Sequence, residues 1–194
     1  MAQARTTRRA AMAGLVSVMA MPRLGAAQGT APAMAFGEQI VARLDRALVT
    51  GGGGLPAAMR SHFAEDADAA VIAQSVLGVV AQTAEPQQLR RFASLWLGHM
   101  SATAAERLMP LAGGRVRLQG VQPVRRFHEV TALAEGAGLR LTLRWHVSDR
   151  SGRMRFFNLL MGQVNLIAQG REEVAALLAQ GGGDLDTLIR RLGG

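Results

Sequence analysis

The hydrophobic pattern of the sequence changes once, at Gly113 and Gly114, and this change constrains the fold more than any other feature. Before the two glycines, apolar residues recur every three or four positions, which is typical of amphipathic helices. After them, apolar and polar residues alternate, which is typical of strands with one wet face. Helices followed by a run of strands predict an α+β domain, with N-terminal helices packed on a curved antiparallel sheet.

The helical half is predicted to contain a helix at 34–49, a glycine run at 51–54 and a short helical segment after Pro56. The next helix, at 69–82, reads AAVIAQSVLGVVAQ and is apolar almost all round, so we expect it to be deeply buried or to line a cavity. Asp66 and Asp68 suit its first turn. Pro86, with Glu85 as cap, begins a helix that ends near residue 110.

Strands are predicted at 115–121, 124–134, 139–147, 153–160 and 162–168, with a hairpin turn at 149–152. In the clearest strand, 139–147, leucine, tryptophan and valine alternate with arginine, threonine and histidine. Short helices at 171–180 and 184–192 close the chain, the second with Asp184 as its N-cap.

The first 27 residues have the order of a cleaved export signal. Residues 1–9 are polar and positive, residues 10–21 are apolar and uncharged, and Gly25-Ala26-Ala27 supplies the small residues that a signal peptidase requires. The apolar run of 12 residues is shorter than the ~20 residues that a membrane-spanning helix needs. Arg8-Arg9 resembles a twin-arginine signal, with a general secretory signal as the alternative. We therefore expect a single mature domain, residues 28–194, in the periplasm.

The positive charge of the chain belongs in large part to this segment. The net charge is +8, and all 22 basic residues are arginines. Four of them lie in the first 27 residues, which leaves 18 against 14 acidic residues and a net charge of +4. With few aromatic residues beside the arginines, we expect no nucleic-acid partner. The absence of cysteine excludes disulfides and thiolate metal sites.

The candidate catalytic residues are few. None of the four histidines is spaced i, i+4 from another, which excludes a helical histidine pair for a metal. His128 and His146 lie on neighbouring predicted strands and could face each other near Asp149, although two solvated imidazoles are the favoured interpretation. No serine-hydrolase, phosphate-loop or dinucleotide motif is present. We predict no catalytic residue, metal or cofactor.

Residues 34–192 resemble the MlaC (toluene-tolerance) family of periplasmic phospholipid-binding proteins. The stretch from Ile72 to Met100 matches the family's V-L-G, A-T-P, Q, F and second aromatic in IAQSVLG, Thr83-Ala84-Glu85-Pro86, Gln88, Phe92 and Trp96. A second match runs from Ser151-Gly152 through Ile167 and closes with Gly182, Asp184, Leu188 and Ile189. The chain departs from the family pattern at Met154, Phe157, Asn158 and at Gly162, Gln163, Val164, Asn165.

The resemblance implies an NTF2-like cone and a non-enzymatic, monomeric carrier in an ABC-type intermembrane lipid transport system. Its partners would be phospholipid, an inner-membrane transporter complex with its MCE-domain subunit, and an outer-membrane lipoprotein. The acyl tails would lie in a pocket between helices and sheet. We expect the pocket or its backing to be formed by Val76, Leu77, Val80, Phe92, Trp96, Leu141, Leu143, Trp145, Phe156 and Leu166, with Arg144 or Arg155 near the headgroup phosphate.

Two alternatives stay open. The first is a carrier of another apolar ligand, such as a hopanoid or isoprenoid. The second is a small NTF2-like enzyme that uses His128, His146 and Asp149.

Overall fold

The computed structural model describes residues 25–194, with side chains from residue 30 onward. This range forms six α-helices and one five-stranded sheet, which confirms the predicted α+β class. The predicted export signal falls mostly on residues 1–24, which lie outside the described residues. The elements are α1 (Gly25–Val49), α2 (Leu55–Asp66), α3 (Ala69–Leu77), α4 (Pro86–Leu108), β1 (Arg115–Val124), β2 (Phe127–Gly136), β3 (Leu139–Ser148), β4 (Arg155–Met161), β5 (Val164–Asn165), α5 (Leu166–Gln180) and α6 (Leu185–Gly193).

Side chains cap the helices where the sequence predicts their starts. Asp68 Oδ1 accepts a hydrogen bond from the Val71 amide at the start of α3. At α4, the Gln88 side chain accepts one from the amide of Glu85. Asp184 caps α6 through two backbone amides. Each cap satisfies amides that the first turn of a helix leaves without a partner.

Three helix boundaries differ from the prediction by more than two residues. α1 begins at Gly25, nine residues before the predicted start at residue 34. α3 ends at Leu77, because Gly78 takes a φ of 59° and the chain continues to Gln82 as a 3-10 helix. The strand predicted at 162–168 is wrong beyond Asn165, where β5 ends and α5 begins at Leu166. Asn165 Oδ1 accepts hydrogen bonds from the amides of Ile167 and Ala168, so this side chain starts the helix five residues before the predicted position.

The five strands lie in sequence order, and each pairs antiparallel with the next. One face of the sheet is buried and carries Val130, Ala132, Ala134, Leu143, Trp145 and Val147. α1 packs against β1 and β2 on this face, and Gly37 meets Val130 there. The opposite face carries Phe127, Glu129, Arg144 and His146, whose side chains are only partly buried.

The core extends from the sheet through the helical layer. Its largest fully buried side chains include Trp96, Trp145, Phe63, Phe92 and Phe156. Along α4 one face is buried, and it carries Phe92, Trp96, Met100, Ala104 and Leu108 at intervals of four residues. Within residues 25–194, none of the helices combines the length and the hydropathy required to cross a bilayer.

Candidate functional site

A cavity of about 670 Å³ opens among α2, α3 and α4. Its volume lies within the ~300–1,000 Å³ that is typical of small-molecule sites. Arg60 and Gln74 on its wall are exposed, whereas Ala73 and Ser101 are buried, so the cavity leads from the surface towards the core. It is lined by Arg60, Ala64, Ala69, Ala70, Ala73, Gln74, Pro86, Leu89, Arg90, Ala93, Ser94, Leu97, Gly98 and Ser101.

The cavity exists because the facing helices present small side chains. Ala70 and Ala73 line it from α3, and Ala93 and Gly98 line it from α4. Protein interiors are normally close-packed, so residues of this size leave the space between three helices unfilled. Of the segment predicted to be buried or to line a cavity, one part of α3 lines this cavity and another part is buried, whereas Val71 and Val79 are exposed.

The cavity wall is mainly apolar. Leu89 and Leu97 contribute its larger hydrophobic side chains. The Ser101 hydroxyl donates a hydrogen bond to the carbonyl of Gly98 at 2.8 Å, so its proton is already bound by the helix. The charged residues on the lining are Arg60 and Arg90, and both are exposed. The arrangement offers an apolar interior with cationic groups near solvent.

Some of the residues predicted to form the pocket lie on the same helices as the cavity. Val76 and Leu77 on α3 are buried, as are Phe92 and Trp96 on α4. The rings of Phe92 and Trp96 stack with centroids 5.6 Å apart. These four side chains are not part of the cavity lining, and their neighbour Ala93 is.

The other predicted pocket residues lie on different elements. Leu143, Trp145 and Phe156 are fully buried on the helix-facing side of the sheet. Leu166 is a buried residue at the start of α5, while Leu141 and Val80 pack against the core from partly exposed positions. The structure thus brings the large side chains together as a filled core, and the cavity lies where side chains are small.

The two predicted phosphate-contacting arginines lie away from the cavity lining. Arg155 Nη1 donates a hydrogen bond to the carbonyl of Ala67 at 2.8 Å, which fixes β4 to the segment between α2 and α3. Arg144 lies on β3 opposite Leu160, on the face of the sheet that is directed away from the core. Arg60 and Arg90 are the arginines that the structure places at the cavity instead.

The histidines considered for catalysis do not converge. Glu129 is the register partner of His146, whereas His128 pairs with Val147 and therefore points to the other face of the sheet. His146 Nε2 lies 3.3 Å from Glu129 Oε2, and burial lowers the pKa of His146 against the opposing effect of Glu129. Asp149 is exposed in the turn that follows. Among residues 25–194, no three acidic or histidine side chains are grouped as a metal site would require.

The comparisons with known proteins agree with this fold. Residues 41–193 match the family model described as MlaC protein. The phospholipid-binding protein from Ralstonia solanacearum, solved in complex with a phospholipid, is similar with a TM-score of 0.66 and 15% sequence identity. The likeness covers 85% of this chain and 94% of that one, and at this identity it establishes the shared fold. A comparison with curated proteins finds no match.

Proposed function

Because the chain belongs to the MlaC family, we propose that it is a carrier that holds the acyl tails of a phospholipid in the cavity among α2, α3 and α4. The observation that carries this proposal is the cavity itself. It is large, most of its lining residues are small or apolar, and several of them are exposed to solvent. The fold shared with a protein solved in complex with a phospholipid supports the same assignment.

The energetics of lipid transfer explain why a carrier needs such a cavity. Each CH₂ group exposed to water costs about 0.8 kcal/mol, so two tails of ~15 carbons would cost on the order of 20 kcal/mol. An apolar cavity offsets this cost without any chemical step. A carrier must also release its cargo, which favours a cavity that opens at the surface over one that is sealed in the core.

Membership of the family and the composition of residues 1–27 support a transport role. We place the carrier in the periplasm, between an inner-membrane ABC transporter with its MCE-domain subunit and an outer-membrane lipoprotein. The export-like composition of residues 1–27 supports this location. The ATPase of the transporter would supply the energy, so the carrier requires no catalytic residue, metal or cofactor of its own.

The predicted pocket residues have a supporting part in this proposal. Val76 and Leu77 on α3 and the stacked pair Phe92 and Trp96 on α4 would back the cavity wall and hold these helices in position. Tight packing behind the wall prevents the helices from collapsing into the empty space. In this arrangement the tails contact alanine and leucine side chains. The aromatic rings do not contact the tails and instead hold α4 in position.

A cavity-filling variant tests the proposal. We expect the purified protein to carry phospholipid, detected by native mass spectrometry and lipid extraction. Ala70→Trp places an indole at an exposed position on the cavity lining and should abolish this cargo. Ala57→Trp makes the same change at an exposed position of α2 that does not line the cavity, and should leave the cargo in place.

Three results would contradict the proposal: a wild-type protein free of lipid, cargo that is equal in both variants, or a hopanoid or isoprenoid as the bound species. The last result would replace phospholipid with another apolar ligand and keep the cavity as its site.

A further inference from the structure

We infer that Arg60 on α2 and Arg90 on α4 form an anion-binding subsite at the mouth of the cavity, which selects amphiphiles with a phosphate headgroup. The inference rests on the proposed function, because it assigns the headgroup end of the same ligand. It also adds a property that the cavity alone does not require, namely discrimination between charged and uncharged lipids with identical tails.

All charged residues of the cavity lining are positive. Arg60 and Arg90 come from two different helices, and both line the same cavity at exposed positions. No aspartate or glutamate is part of that lining. An approaching headgroup therefore meets two positive charges and no carboxylate from these fourteen lining residues, which favours an anion.

Both guanidinium groups are available to a ligand. Among the residues that the structure describes, neither arginine forms a side-chain hydrogen bond or an ion pair. Their neighbours three and four positions away on the helix are uncharged, so no local acid offsets them. These neighbours are Pro56, Ala57, Phe63 and Ala64 for Arg60, and Pro86, Gln87, Ala93 and Ser94 for Arg90.

Other arginines in the structure show what a structural role looks like. Arg43 forms ion pairs with Glu65 and Asp66. Arg171 Nε donates a hydrogen bond to the carbonyl of Ser75 at 2.6 Å and so ties α5 to α3. Arg60 and Arg90 stabilise no such contact among the described residues, so both guanidinium groups are available to a ligand at the cavity.

The chemistry of the guanidinium group identifies the ligand class. Its planar fork matches two oxygens of a phosphate, and charge-assisted hydrogen bonds of this kind are stronger than neutral ones. The apolar residues of the same lining, such as Leu89 and Leu97, suit hydrocarbon tails. Together they fit an amphiphile with an anionic phosphate at the surface and tails inside.

The test compares two lipids that differ in the phosphate alone. Binding of phosphatidic acid and of diacylglycerol with the same chains is measured for the purified wild type, for Arg60→Gln/Arg90→Gln and for Arg91→Gln. Arg91 is the matched control, because it is an exposed arginine beside Arg90 that does not line the cavity. We expect wild type and Arg91→Gln to prefer phosphatidic acid at least about tenfold, and the double variant to lose most of this preference.

Each outcome bears on a different claim. A double variant that keeps the full preference would overturn the subsite, while binding of diacylglycerol by it would still support the apolar cavity. If neither lipid binds the folded wild type, the proposed function itself fails. Glycerol 3-phosphate serves as the headgroup without tails, and equal affinity for it and for phosphatidic acid would mean a free-phosphate site and contradict the lipid subsite.

Discussion

Gly170 in α5 lies directly against the indole ring of Trp96 in α4. A Cβ atom at residue 170 would stand 2.8 Å from Cζ2 of Trp96, closer than real contacts of this kind. The indole is 1% exposed and stacks on Phe92, so it has little room to move away. This contact joins α5 to the core side of α4, the helix that forms one wall of the cavity.

We expect Gly170→Ala to lower the free energy of unfolding by about 1–3 kcal/mol, because the added methyl overpacks a filled site. Gly98→Ala is the matched control, since it also lies within a helix and its Cβ would meet nothing within 4 Å. Alanine should there raise the free energy of unfolding by up to about 1 kcal/mol. Urea denaturation of the two variants measures both effects, and equal stabilities would contradict the contact.

Replacement of Asn165 by alanine should remove the cap of α5. Its Oδ1 accepts hydrogen bonds from the amides of Ile167 and Ala168 at 3.0 Å and 3.2 Å. Loss of such a cap costs about 0.5–2 kcal/mol, which denaturant unfolding resolves. Asn165→Ser should recover most of the loss, because a serine hydroxyl can accept the same bonds; if serine is no better than alanine, capping is not the reason.

Asp66 joins the buried His62 to the partly buried Arg43, and its removal should be costly. Its Oδ2 lies 2.8 Å from His62 Nδ1 and 3.0 Å from Arg43 Nη1, and both His62 and Asp66 are nearly inaccessible to solvent. We expect Asp66→Ala to lower the free energy of unfolding by about 3 kcal/mol, because it leaves buried polar groups without a partner.

Glu65 provides the control for that variant. It contacts the same arginine at 2.6 Å, but its side chain is 55% exposed. Exposed ion pairs contribute little to stability, so Glu65→Ala should change the free energy of unfolding far less than Asp66→Ala. A similar loss in both variants would show that the arginine contact matters more than the buried position.

His146 should make stability depend on pH. Burial lowers the pKa of His146 below its ordinary value of 6.5, while the hydrogen bond to Glu129 works in the opposite direction. The unfolded chain therefore binds this proton more readily than the folded one, and stability falls as the pH drops below 6.5 towards the folded-state pKa. We expect His146→Gln to lose less stability than wild type between pH 7.5 and 5, and parallel unfolding profiles would refute this.

The order of helices and strands could be predicted from the sequence because hydrophobic period and helix caps are local signals. The start of α5 could not be predicted from the alternating pattern, because that pattern continues past Asn165. Asn165 is nevertheless a local signal for the start of a helix. Val164 and Leu166 alternate like strand residues, but Asn165 binds the amides that follow it and turns the chain into a helix.

The pairing of the strands required one further signal. Ala137 and Gly138 both have positive φ, 49° and 77°, which is the two-residue hairpin turn with the twist that favours antiparallel strands. This turn pairs Gly136 with Leu139, and counting back from it pairs Glu129, not His128, with His146. The Gly-Ala-Gly sequence at 136–138 predicts this turn. The strand register that follows from the turn places His128 and His146 on opposite faces of the sheet.

The cavity could be predicted only in outline. The apolar helix predicted at 69–82 indicated either a cavity or deep burial. The residues predicted to form the pocket have large apolar side chains, and such side chains fill space. A cavity lies where alanine and glycine from separate helices happen to face one another, as Ala73 and Ala93 do here. That coincidence depends on helix packing, which hydrophobic period alone does not determine.

The most direct test of the central claim locates the acyl tails in the protein. A phospholipid with a photoreactive diazirine in its acyl chain is loaded into the purified protein and irradiated, and the labelled residues are identified by peptide mass spectrometry. We expect labels on α3 and α4, around Ala73, Leu89, Ala93 and Leu97, and their loss in Ala70→Trp. Labels confined to the sheet, with none on α2, α3 or α4, would contradict it.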